Sequence, residues 1–108
     1  MGDIFQMRAL VAKALAHPTR LRIIDFLMER PEACVCEIIE YLREGQSTIS
    51  KHLSVLKDVG LVDSRKSGLM VMYSLRAHCI QNFFACLDTV LLDDLERKQQ
   101  VVSRGGEQ

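Results

Sequence analysis

The chain has 108 residues, enough for one domain and too few for two. Lys plus Arg and Asp plus Glu both number 14, which excludes a polycation acting through bulk charge, and a hydrophobic share of 48% allows a core, though a modest one. No apolar run is long enough to span a bilayer and no secretory pattern opens the chain. The expected location is therefore cytoplasmic. The four cysteines do not read as a disulfide framework, which leaves metal binding or redox chemistry as the alternative to packing.

Asp3 with Gln6 resembles a capping box, and Ile4, Met7, Leu10, Val11, Ala14 and Leu15 follow at helical spacing, predicting a first helix that ends near Ala16. Pro18 suits the first turn of a second helix, with Leu21, Ile24, Leu27 and Met28 as its core stripe and Pro31 as its stop. A third helix is predicted from Ala33 to Leu42, with Val35, Ile38, Ile39 and Leu42 apolar. A short turn over Arg43–Gln46 leads into a fourth, so two helices are joined in the layout of a helix-turn-helix.

The fourth segment, GQSTISKHLSVLKDVGL over Gly45–Leu61, carries the strongest functional signal. Gly45 supplies a turn that tolerates positive φ, Ser47 or Thr48 can cap the helix, and Gly60 stands where a left-handed helix end belongs. Ile49, Leu53 and Leu56 recur at i, i+4 and i+7 on one apolar stripe. At about 100° per residue, Ser47, Lys51, Ser54 and Asp58 fall opposite it, flanked by Thr48 and Ser50. Small hydroxyls reach base edges in a major groove, and Lys reaches phosphate. Four Ser and Thr in so short a stretch weaken a helix that serves only packing. His52 flanks the stripe and suits either a phosphate or a half-buried packing role.

Leu61–Lys66 and Leu69–Leu75 read as two strands around Ser67-Gly68, with Val71, Tyr73 and Leu75 alternating against Met72 and Ser74. Arg65 and Lys66 lie near the tip, placed for a phosphate or minor-groove contact. Charge follows the same division. From Thr48 to Arg76, Lys51, Lys57, Arg65, Lys66 and Arg76 outnumber Asp58 and Asp63; from Glu29 to Gly45 the acidic residues prevail. A last helix is predicted from His78 to Gln99, with Ile80, Phe83, Phe84, Leu87, Val90, Leu91 and Leu95 on a broad apolar face. Pairing the first and last helices across a two-fold axis buries both faces.

The predicted fold is mainly α with a small β-hairpin: a winged helix-turn-helix, homodimeric through its terminal helices. Residues 1–102 form a single domain and residues 103–108 a flexible tail. The expected partner is double-stranded operator DNA, with no membrane. The expected contacts are Gln46, Ser47, Thr48, Ser50, Lys51, His52, Ser54, Lys57, Arg65 and Lys66. No nucleotide loop or catalytic motif suggests an enzyme.

The runs ALAHPTRLRIIDFL, CVCEI, STISKHLSVLKDVGLV and DSRKSGLMVMYSL, in that order from Ala14 to Leu75, resemble the ArsR/SmtB family of metal-responsive repressors. The resemblance implies a homodimeric winged-helix repressor that leaves its operator when a metal or metalloid binds, as in arsenic resistance. Cys34-Val35-Cys36 matches the thiol site carried there by the arsenite, cadmium and lead sensors.

Two thiolates suit soft ions: arsenite or antimonite first, cadmium or lead next. A helix N-terminus lowers thiol pKa and favours the thiolate. On a regular helix, side chains two residues apart diverge by roughly 200°, so gripping one ion with both requires the helix start to loosen or lie in a turn. Cys79 and Cys86 are seven apart on one helical face and read as core or interface residues, either able to supply a third thiol. His17 and His78 read as residues that open helices. The alternative function is a repressor of the same fold switched by thiol oxidation at Cys34 and Cys36, since an activated thiolate serves that chemistry too.

Overall fold

Residues 2–106 are described in a computed structural model, and they group into two units divided between His78 and Cys79. In the first unit Asp3 caps helix α1 (Ile4–Leu15), its carboxylate accepting from the Phe5 N–H at 3.0 Å. His17 caps α2 (Pro18–Met28), with Pro18 in the first turn. The chain then forms β1 (Ala33–Cys34), α3 (Val35–Leu42), α4 (Gln46–Asp58), β2 (Val62–Ser67) and β3 (Met70–Leu75). The three strands make one antiparallel sheet in the order β1-β3-β2.

The core lies among the faces that apolar spacing picks out. Ile23, Ile24 and Leu27 of α2, Ile38 of α3, Ile49, Leu53 and Leu56 of α4 and Val62 of β2 are all less than 2% exposed. Burying each side chain contributes roughly 1.5–3 kcal/mol, so these eight fix how α2, α3, α4 and the hairpin meet. In α2 the inward stripe is shifted from the predicted one. Ile23 and Phe26 are buried, whereas Leu21 and Met28 are half-buried.

Several local expectations are corrected. The third helix starts at Val35, because Ala33 and Cys34 are extended and pair with Tyr73 and Met72 of β3. In the turn between α3 and α4 the left-handed residue is Arg43, at φ 58° and ψ 39°, while Gly45 is extended at φ −64°. Arg43 in this region costs about 1 kcal/mol. Helix α4 begins at Gln46 after Gly45 and has no side-chain cap, so Ser47 and Thr48 lie within its first turn as helical residues. Its other end is as expected. Gly60 takes φ +81°, its N–H bonds to Lys57 O, and Leu61 N–H bonds to Leu56 O, closing a Schellman motif. The hairpin loop is Gly68-Leu69, one residue later than predicted, with Ser67 opposite Met70 and Gly68 at φ +64°.

The second unit holds α5 (Ile80–Gly106). It begins two residues after His78, which lies in a turn, and continues beyond Gln99. The i,i+4 pairs Arg97–Asp93 and Lys98–Asp94 at 3.1 and 3.0 Å support the extension, and no glycine occurs before Gly105. The predicted tail at 103–108 therefore starts inside a helix; Glu107 and Gln108 lie outside the described residues. Phe83, Leu87, Val90, Leu91, Leu92 and Leu95 are exposed along α5. In the first unit Ile4, Phe5, Met7 and Leu10 are exposed along α1, which buries only Ala14 and Leu15. No described helix is long and apolar enough to cross a membrane.

Candidate nucleic-acid interface and thiol site

Helix α4 is held by its inner stripe, so its outer residues are fixed in direction and left to the surface. Gln46, Ser47, Thr48, Ser50, Lys51, Ser54 and Lys57 are all exposed. The side chains of Gln46, Ser47, Thr48, Ser50, Lys51 and Ser54 have no hydrogen-bond or ion-pair partner among the described residues. With no cap at Gly45, the first amides of α4 also lack side-chain acceptors. A helix start with free N–H groups favours a phosphate. The face thus offers hydroxyl and amide groups at base-edge reach and an ammonium for the backbone.

His52 does not belong to that face. It is 8% exposed, its Nδ1 accepts from Arg20 Nε at 3.1 Å, and its ring lies 4.4 Å from that of His17. Burial, and then the charges of His17, Arg20 and Lys51, hold its pKa below the ordinary value against the opposing pull of Glu44. It is buried beside Ile49, Leu53 and Leu56 on the inner face of α4, which explains the inward direction. His17 caps α2 as expected, accepting from Thr19 N–H at 3.1 Å. Thr19 Oγ1 donates to Glu44 Oε1 at 3.0 Å; the other Glu44 oxygen is buried and has no partner among the described residues. This polar cluster links the start of α2, the turn and α4. Its signal in the sequence is weak, since its members lie far apart along the chain.

The two basic residues of the wing are placed differently. Lys66 is exposed near the tip. Arg65 is instead engaged with Glu32: its Nε donates to Oε2 at 2.8 Å and its Nη2 to Oε1. The hydrogen bond from Arg65, followed by its charge, holds the Glu32 carboxyl below the usual range, and the same contact raises Arg65. Lys57 Nζ donates to Ser64 Oγ at 2.6 Å, tying the end of α4 to β2.

The two thiols, which would diverge on a regular helix, lie where the helix start gives way to a strand. Cys34 is the N-cap of α3, extended at φ −79° and ψ 162°, while Cys36 is already helical. The break in backbone direction between them turns the two side chains toward one another; the Cα atoms are 5.3 Å apart and the sulfurs are joined in a disulfide. Cys34 is buried and Cys36 exposed. A reciprocal capping box fixes the start of the helix: Cys34 Sγ accepts from Glu37 N–H at 3.3 Å, and Cys34 N–H donates to Glu37 Oε1 at 3.2 Å. Reduced, this pair is a two-thiolate donor set already at close range, which fits a soft ion. Among the described residues no group of three or more His, Cys, Asp or Glu gathers as a metal cage. Cys79 and Cys86, in the second unit, are exposed and free of disulfides.

A three-stranded winged helix-turn-helix with an unpartnered polar face on α4 defines a DNA-binding regulator of transcription. Residues 17–64 match the family model described as bacterial regulatory protein, arsR family. The chain is 37% identical over 90 residues to the arsenical resistance operon repressor of Escherichia coli, covering 83% of this chain and 77% of that one. It superposes on the Rv0081 crystal structure from Mycobacterium tuberculosis with a TM-score of 0.78 at 31% identity, covering 91% of this chain and 98% of that one. It also resembles the homodimeric winged helix-turn-helix DNA-binding domain Mb0332 of Mycobacterium bovis, a possible ArsR-family regulator, with a TM-score of 0.74, 32% identity and coverage of 87% and 86%. The chain belongs to the ArsR family of transcriptional regulators, which are DNA-binding proteins and not enzymes.

Proposed function

We propose that the chain is a homodimeric transcriptional repressor that leaves its operator when a soft ion takes the thiolates of Cys34 and Cys36. Arsenite or antimonite is the favoured effector, followed by cadmium or lead. The observation that carries the reading is the convergence of the two thiols at the capped start of α3, the helix packed against α4. The similarity to an arsenical resistance operon repressor supports the choice of ion. The exposed apolar residues of α1 and of α5 support a dimer, which would read half-sites about one helical turn apart. A third thiol from Cys79 or Cys86 would strengthen the grip.

A ligand moves an equilibrium only by its differential affinity for the two states, and a full switch needs on the order of 5 kcal/mol. Thiolate bonds to the ion that are made in only one of the two states would supply such a difference. The test is operator release against arsenite concentration, in excess reductant, for the parent, Cys34→Ser and Cys36→Ser. Serine is a good N-cap at position 34 and close in shape to cysteine at the exposed position 36, so both variants should fold and bind DNA like the parent and fail to release it. Normal release by both variants would place the sensor elsewhere.

A second reading is favoured by one feature, the joined sulfurs: a repressor switched by oxidation of this pair. Release by an oxidant such as diamide, with no response to arsenite in reductant, selects it over the first.

A further inference from the structure

The hairpin leaves the body of the first unit at the flank of α4. Ser50, Ser54 and Lys57 follow at i, i+4 and i+7 and share one side of that helix. Lys57, at the end of the row, donates to Ser64 of β2 at 2.6 Å. From there β2 runs outward: Val62 is buried, Ser64 half-buried, and Arg65, Lys66 and Ser67 are exposed. Lys66 lies on the same face of β2 as Ser64, two residues on. The tip is Gly68-Leu69. Gly68 at φ +64° fits the first place of a type II′ turn, and nothing in such a turn calls for an apolar residue in the second. Yet Leu69 is fully exposed, and Met70 beside it is 50% exposed. One exposed leucine alone needs no explanation. Here two adjacent apolar side chains stand at the far end of a projecting hairpin, just beyond an exposed ammonium, on the limb that is tied to the polar side of α4.

We propose that Leu69, with Met70 behind it, is a wedge that enters the minor groove of the bound duplex, parts one base step and bends the DNA there. Leucine has no donor or acceptor, so it neither reads base edges nor holds phosphate. What DNA offers it is the apolar surface between stacked bases, where leucine and methionine are among the side chains that bending proteins insert. The reach agrees. Leu69 stands five residues beyond Ser64, at most about 17 Å along a strand. The minor groove flanking the major groove under α4 is about half a helical turn away, also about 17 Å. Lys66, three residues short of Leu69, then meets phosphate at the edge of that groove. Pyrimidine–purine steps part most easily, so the wedge adds a sequence preference about five base pairs from the bases under α4, at a place where no hydrogen bond is made. The proposal rests on α4 as the major-groove element and is independent of the thiols.

The test uses the full chain as parent, Leu69→Ser, Leu69→Met and Lys66→Ala. Both side chains are exposed, so none of these changes empties the core. The DNA is a duplex recovered from a random library by binding to the parent, with the fluorescent base 2-aminopurine placed at one position at a time and a dye at each end. Emission of that base rises when it is unstacked, and energy transfer between the dyes reads the bend. The parent should raise the emission at one step about five base pairs from the bases protected by α4, and should bend the duplex. Leu69→Ser should lose both signals, bind about ten-fold more weakly and keep the parent's salt slope. Leu69→Met should restore the emission. Lys66→Ala should keep the emission and flatten the salt slope by about one unit. Replacing the parted step by an A-tract should weaken the parent and leave Leu69→Ser unchanged. A parent that raises no emission at any position, or a Leu69→Ser that bends the duplex and binds within about two-fold of the parent, overturns the wedge alone. A Leu69→Ser that is monomeric where the parent is dimeric assigns the tip to a second copy and overturns it as well. A parent that retains no duplex from the library overturns the major-groove reading of α4 and the wedge together.

Discussion

Along α4, Ser47, Thr48, Ser50, Lys51 and Ser54 are exposed and have no side-chain partner among the described residues. Along β2, Arg65 is held by Glu32 and Ser64 by Lys57. Both regions are rich in the side chains that nucleic acid attracts, yet only one of them leaves those side chains vacant. A polar face held rigid by a buried stripe and given no internal partner is shaped for something outside the molecule. A basic residue with a carboxylate in reach has an internal use first, and its place near a hairpin tip does not by itself make it a DNA contact.

The largest effect that sharpens this contrast separates the two faces of α4. Leu53→Ala empties a fully buried site and should lower unfolding free energy by about 3 kcal/mol, whereas Ser50→Ala should change it by less than about 0.5. Urea unfolding of both variants checks this; similar losses would mean that the outer face is also structural. Next in size is the effect on DNA. Lys51→Ala should weaken binding to all sequences and flatten the salt dependence by about one unit, while Ser50→Ala should cost on the order of 1 kcal/mol at one base position only. Arg65→Ala should alter the salt slope less than Lys51→Ala, since Glu32 already occupies its guanidinium. Titrations at several salt concentrations on matched and altered duplexes read all three. A larger slope change for Arg65 would erase the distinction between helix and wing.

The smallest effect concerns the residue that changes sides. His52 takes up its proton less readily in the fold than in the unfolded chain, because burial and then the nearby positive charges disfavour the imidazolium. The unfolded state therefore binds more protons once pH drops below the ordinary histidine value. Stability should fall as pH falls from there through the lowered folded value, and be unaffected by this group above that range. His52→Gln keeps an acceptor for Arg20 without titrating. Between about pH 7.5 and about pH 5.5 its unfolding midpoint should drop less than the parent's. Equal drops would show that His52 is not the titrating group.

What the sequence made legible follows from range. The buried stripe of α4, its end at Gly60, the cap at His17 and the hairpin all depend on neighbours a few residues away, and spacing alone finds them. The errors share the opposite property. β1 has two residues, too few for a period, and exists only because Tyr73 and Met72 lie beside it. The same pairing makes Cys34 extended, which removes the divergence a regular helix would impose on the two thiols. Arg65 reads as free until Glu32, 33 residues away, is brought to it. His52 reads as ambiguous at the edge of its stripe until His17 and Arg20 close over it. The left-handed turn residue fell on Arg43 because α3 ends there, even though a glycine stands two residues on.

The pairing of β1 with β3 also orders events in time. The ribosome releases Cys34 and Cys36 well before Met72 and Tyr73, with α3 and α4 made in between. Until the wing emerges, nothing holds Ala33 and Cys34 extended, and closing so long a loop comes late in folding. The nascent chain thus carries two thiols without the geometry that brings them together. Cys34 and Cys36 reach their folded geometry only with the last strand of the hairpin, after α4 has been synthesised.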